Sequence, residues 1–150
     1  MLNVGYYVPI QLVGLYLWSA TPLADTVDTV RVRSLTWNQR ALVVTGAVAV
    51  IGGYALVLDV LGGTLPLFDS ASTVLSVVAM ALLVVRATEQ WVFWITVNLL
   101  SIYMWSAIYL ADGVGLAMVV MWTAYLVNSV YGLYNWRRLA DAQPTPPPAR

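Results

Sequence analysis

Trp91, Trp94, Asn98, Ser101, Trp105 and Tyr109 recur at the spacing of one helix face: at roughly 100° per residue they fall within an arc of about 80°. A second segment gathers Trp122, Tyr125, Ser129, Gly132 and Trp136 in the same way, with Asn128 at the edge. A third, near the N-terminus, gathers Tyr7, Gln11, Gly14 and Trp18. Aromatic rings stack on a flat, neutral or weakly cationic heterocycle while amides and hydroxyls read its polar edge, so faces of this kind suit binding of a small aromatic molecule. Trp91 and Trp94 are the candidates for stacking. Asn98 lies deeper and must find a hydrogen-bond partner, since an unsatisfied amide in hydrocarbon costs several kcal/mol.

Covalent chemistry has no comparable carriers. The chain contains no Cys and no His, which removes disulfides, thiol nucleophiles, and the usual zinc ligands and general bases. No nucleophile and base pair or metal cluster stands out, so no enzymatic activity, cofactor or metal is expected. The seven basic residues are all Arg and balance seven acids. A neutral chain without a basic stripe does not fit a nucleic-acid partner.

These faces must be positioned by membrane helices. Of 150 residues 61% are hydrophobic and only 9% charged, with a mean hydropathy of +0.79. A water-soluble domain could not hide that much apolar surface. At roughly 20 apolar residues per crossing there is room for about five spans. The apolar runs are Val4 to Trp18, Ala41 to Leu61, Ser70 to Val85, Trp91 to Leu110 and Gly115 to Trp136, separated by breaks such as Gly62-Gly63-Thr64 and Asp112-Gly113. The fold expected is an all-α, polytopic membrane bundle lodged in the lipid bilayer. The N-terminal run lacks a basic flank and a small-residue cleavage site, and reads as a membrane helix. The connection 19–40 mixes Asp25, Asp28, Arg31 and Arg33 with Trp37 and reads as an interfacial cytoplasmic loop, and 139–150 as a Pro-rich tail. All arginines follow the first, third or fifth span. The positive-inside rule therefore places the C-terminus in the cytoplasm and Met1 outside, in a cell membrane.

Gly14-Leu15-Tyr16-Leu17-Trp18 reappears as Gly132-Leu133-Tyr134-Asn135-Trp136, both on the Arg-bearing side, which is the mark of a parallel duplication. If 70–138 is one three-helix unit, then 1–18 is the last helix of an earlier unit whose first two helices would lie before Met1, with 41–61 as the linker helix.

Plainer roles compete at each position. Trp18, Trp91 and Trp136 near helix ends suit interfacial anchors. Asn98, Asn128 and Gln11 suit packing contacts worth about 0.6 kcal/mol each. Asp69, just before Ser70, reads as a helix cap first and a substrate contact second. Gly46, Gly52 and Gly53 read as close helix packing.

Asp69-Ser70, Val74 to Met80, Glu89-Gln90-Trp91-Val92-Phe93-Trp94 and Asn98 resemble the PnuC-type vitamin transporters, the Trp-x-x-Trp-x-x-x-Asn element being the most specific part. The resemblance implies a SWEET-like plan of two three-helix units and a linker, and facilitated uptake of nicotinamide riboside trapped by cytoplasmic phosphorylation. Thiamine and riboflavin are the substrates of close relatives. It implies that Trp91, Trp94 and Asn98 contact base and ribose. Gln11, Tyr7, Trp122, Tyr125, Asn128 and Asp69 complete the expected substrate shell. Copies of the chain assembled as a homo-oligomer would complete a wall that the first two helices otherwise supply. The rival is a non-transporting membrane subunit or a non-functional homologue whose aromatic faces only pack helices together.

Overall fold

Thr36 has the side chain and spacing that start a helix. Its Oγ1 accepts from the backbone N–H of Gln39, and the Gln39 side chain accepts in return from the Thr36 N–H, a reciprocal capping box. In the computed structural model, which describes residues 6, 8–19 and 32–143, this cap opens α2, Trp37–Val60. It follows α1, Val8–Ser19, and precedes α3, Pro66–Val84, α4, Gln90–Asp112, and α5, Leu116–Ala142. The expected all-helical bundle is present with five helices. The only extended pairing among the described residues is an isolated parallel bridge between Arg33 and Ala87.

The helices α2 to α5 are long and apolar enough to cross a membrane, while α1, apolar over Val8–Leu17, is shorter. At a rise of 1.5 Å per residue the 24 residues of α2 extend about 36 Å, against about 18 Å for the 12 of α1. Large apolar side chains point outward, with Val60 86% and Leu110 84% exposed. That arrangement is stable only where hydrocarbon meets the surface.

Three boundaries differ from the sequence expectation. The helix α2 begins at Trp37, so Trp37 and Arg40 belong to its first turns and not to the interfacial connection. The helix α3 begins at Pro66, which suits a first helical position because it has no N–H to leave unpaired. Asp69 is therefore not the cap: Leu65 occupies that position, and Asp69 lies exposed in the first turn, where a negative charge favours the helix dipole. The helix α5 continues past Trp136 to Ala142. Residues 20–31 of the connection and 144–150 of the tail lie outside the described residues.

Central in the packing is α4, which lies against α3 and α5, while α3 also carries α2 and α1. The reading of Gly46, Gly52 and Gly53 as packing glycines is corrected: a Cβ added at any of them would meet nothing within 4 Å. They lie off the face of α2 that meets α3. That face buries Ala47 and receives the buried Ser70, whose hydroxyl donates to the Ile51 carbonyl at 2.7 Å.

The arginine-bearing ends meet. The Arg33 N–H donates to the Arg86 carbonyl at 3.1 Å, the Thr88 N–H to the Arg33 carbonyl at 2.9 Å, and the Val32 N–H to Oε1 of Gln143 at 3.0 Å. Arg86 adopts φ 58°, unfavourable for a side chain with a Cβ, and its guanidinium donates to the Leu17 carbonyl at the end of α1. Oε1 of Glu89 accepts from the Leu35 N–H at 3.0 Å and from the Arg40 guanidinium at 2.8 and 3.0 Å. Beneath it Leu35, Leu82 and Ala87 form a small buried cluster with Val78 and Phe93.

Because Glu89 is the acceptor for two donors from the segment entering α2, Glu89→Ala is expected to cost about 1–3 kcal/mol, chiefly through the part-buried Leu35 N–H it orphans, since the Arg40 guanidinium reaches solvent. The thermal midpoint in detergent should fall accordingly, and Glu89→Gln, which keeps one acceptor, should fall less. A midpoint unchanged in Glu89→Ala would show that this junction does not hold the helix ends together.

Candidate functional site

Asn98 is 2% exposed, at mid-length of α4, and finds its partner across the helix seam: Nδ2 donates to the Ser129 hydroxyl at 2.9 Å. The Ser129 hydroxyl in turn donates to the Tyr125 carbonyl one turn earlier in α5 at 2.8 Å. The pair ties α4 to α5 and uses one of the amide's hydrogen-bonding positions, leaving others for a further partner.

Around this tie lies a half-open hollow of about 290 Å³ lined by Trp91, Trp94, Asn98, Trp122, Tyr125, Asn128 and Ser129. Its size is at the lower end of small-molecule sites, which run from about 300 to 1,000 Å³. The rings are held in place by one another. Trp91 meets Trp136 edge to face with centroids 5.8 Å apart, and Trp122 meets Tyr125 likewise at 5.7 Å. Gly132 makes the Trp91 position available: a Cβ there would lie 2.6 Å from three atoms of the indole. At the far end of α4, Gly113 (φ 70°) closes the helix and Gly115 (φ 95°) opens α5 with Trp105 packed against it.

Two indole donors of the lining residues are sealed in the packing beside the hollow. The Nε1 atoms of Trp91 and Trp122 are buried and have no hydrogen-bond partner among the described residues. Each such donor costs about 1–3 kcal/mol until it is satisfied. The hollow therefore combines aromatic side chains, two amides and a hydroxyl, with no carboxylate and no cationic side chain in its lining. It can stack a flat ring and, through its amides, donate to oxygen atoms.

The structure brings together six of the nine residues singled out in the sequence: Trp91, Trp94, Asn98, Trp122, Tyr125 and Asn128. It sets two apart. Gln11 lines a separate, mostly apolar hollow between α1 and α3 with Met80 and Val84, and Asp69 is exposed in the first turn of α3. Tyr7 lies outside the described residues. Gln90, not singled out, is completely buried with neither amide atom partnered among the described residues, one position before Trp91. A polar amide inside an otherwise aromatic motif was the only signal for it.

Residues 1–138 match the family described as nicotinamide mononucleotide transporter. The chain is 40% identical over 143 residues to the nicotinamide riboside transporter PnuC of Neisseria mucosa, covering 93% of this chain and 54% of that protein. It is 34% identical over 140 residues to the nicotinamide riboside transporter PnuC of Haemophilus influenzae, covering 89% and 56%. A crystal structure of the vitamin B3 transporter PnuC is similar with a TM-score of 0.77 and 39% identity, over 94% of this chain and 62% of that one. The chain spans about half the length of the curated relatives it matches.

Gly132→Ala is expected to push Trp91 out of place and destabilise the protein by about 1–3 kcal/mol, as overpacking does. Gly46→Ala, with open space around it, should leave the thermal midpoint unchanged or raise it. Equal effects of the two would mean that Trp91 does not lie against α5.

Proposed function

The chain belongs to the nicotinamide mononucleotide transporter family, and from that premise we propose that it carries nicotinamide riboside or a closely related vitamin across a cell membrane. Nicotinamide riboside is a flat cationic pyridinium bearing a ribose. The hollow between α4 and α5 offers what that chemistry asks for: Trp91 and Trp94 rings for the base, and the Asn98 and Asn128 amides for ribose and carboxamide oxygens. The observation that carries this reading is the convergence of Trp91, Trp94, Trp122 and Tyr125 with the Asn98 and Asn128 amides on one hollow free of charged side chains.

The transport is facilitative in this reading. No carboxylate or basic side chain lines the hollow to couple movement to protons, so the substrate gradient drives uptake and phosphorylation of the product in the cytoplasm keeps it inside. The ends carrying Arg33, Arg40, Arg86, Arg137 and Arg138 face the cytoplasm. The helices α3 to α5 act as one three-helix unit with α2 as a linker. One observation favours the rival, a membrane subunit without transport: α4 and α5 alone wall the hollow, and it is open on one side.

Calorimetry with the purified protein tests the proposal. Nicotinamide riboside should bind, and Trp94→Ala and Asn98→Ala should each weaken binding by about tenfold or more, since one lost stack or charge-adjacent hydrogen bond is worth about 1–2 kcal/mol. The stability cost of Asn98→Ala should stay near the about 0.6 kcal/mol typical of polar contacts between membrane helices. Unaltered affinity in both variants, or no binding by the parent, would remove the site assignment.

A further inference from the structure

On the opposite face of α4 from the aromatic hollow lies a second, larger one of about 370 Å³, half open, between α2, α3, α4 and α5 toward the arginine-bearing ends. Its wall within the spans is mostly apolar, with Val44 from α2, Leu75 from α3, Val92 from α4 and Leu133 from α5, and the Thr96 hydroxyl there is spent on the Val92 carbonyl. Its rim is ionic, formed by Arg40, Glu89 and Arg137. The Arg40 guanidinium is paired with Glu89. Arg137 has no ion-pair or hydrogen-bond partner among the described residues, so the rim carries one positive charge in excess.

The geometry points to a site for an anionic glycerophospholipid, its phosphate on Arg137 and one acyl chain laid along Val44, Val92 and Leu133. Charge and depth agree. A cation at the end of a membrane helix sits at headgroup level, while a wall of Val and Leu below it sits among acyl chains, and basic hollows between spans are where anionic headgroups lodge. A soluble anion would satisfy Arg137 but would leave the apolar wall without an occupant. The lipid also has a structural consequence. Val92 faces this groove while Trp91 and Trp94 line the aromatic hollow, so a lipid seated here braces the first turns of the helix that carries the proposed vitamin site.

Native mass spectrometry of the purified, delipidated chain tests this with phosphatidylglycerol and phosphatidylcholine as probes. One phosphatidylglycerol per chain should be retained, about fivefold more than phosphatidylcholine, the difference one arginine makes at an anionic headgroup. Arg137→Gln should abolish that preference. Arg138→Gln should keep it, because that guanidinium lies over the Tyr134 ring instead, 5.6 Å from its centre. Val44→Trp, which fills the wall and leaves the charges alone, should lower retention of both lipids. Equal loss in Arg137→Gln and Arg138→Gln, equal retention of the two lipids by the parent, or release of phosphatidylglycerol by inorganic phosphate alone would overturn the assignment. Should Arg137→Gln not remain folded, as judged by its helical circular dichroism, an unchanged retention in Val44→Trp overturns it independently.

Discussion

The hydrogen bond from Asn98 to Ser129 is the contact on which the functional half of the structure depends. Inside a bilayer no hydrophobic force distinguishes a helix neighbour from a lipid tail, so α4 and α5 must be held by close packing and by polar groups that have no water to turn to. Asn98 alone on α4 would be a cost of several kcal/mol; opposite Ser129 it becomes a tie. The tie fixes rotation as well as distance. With Asn98 turned onto α5, the roughly 100° step places Trp91 and Trp94 on the same seam, and Gly132 lets the Trp91 ring lie against the neighbouring backbone.

A different kind of constraint governs the arginine-bearing end. Five chain segments converge there, and their peptide groups lose helical partners just where each helix starts or stops. The capping box at Thr36, the Arg33 bridge to residues 86–88 and Oε1 of Glu89 take up those groups. Arg86 is held at a positive φ by the same network, with its side chain bonded to the end of α1. The aromatic seam is thus anchored at the point where α4 begins, one residue after Glu89.

The periodic, long-range features of this fold were legible in the residues. Unbroken apolar runs gave five helices, and Trp91, Trp94 and Asn98 from the arc on α4 line one hollow with Trp122, Tyr125, Asn128 and Ser129 of α5, while Trp105 packs on Gly115 outside it. What failed was local or relational. Pro66 and the Thr36-x-x-Gln39 box are start signals that lie several residues ahead of the apolar runs, and hydropathy alone passed over them. Gly46, Gly52 and Gly53 looked like an interface because small residues often are one in membranes, yet periodicity cannot say which face of α2 meets a neighbour, and Ala47 and Ser70 make that contact instead. Gln11 shares the chemistry of the aromatic faces and lies on a helix that packs against α3, away from α4 and α5. A matching stripe identifies a helix face that needs a partner; only the packing decides which partner it finds.

Gln90 brings these constraints to one point. It is completely buried between the ionic junction at Glu89 and the first ring of the aromatic hollow, with its amide unpartnered among the described residues. An apolar residue of the same size would pack there at less cost, because an amide without partners is penalised most where the surroundings are driest. The first turn of α4 therefore concentrates uncompensated polarity, in Oε2 of Glu89, the Gln90 amide and Nε1 of Trp91, on a helix whose next turns are closely packed. Polar groups left unsatisfied in one arrangement favour any other arrangement in which they find partners. The start of α4, tied through Oε1 of Glu89, is thus also where the described part of the helix carries most of its unpartnered polarity.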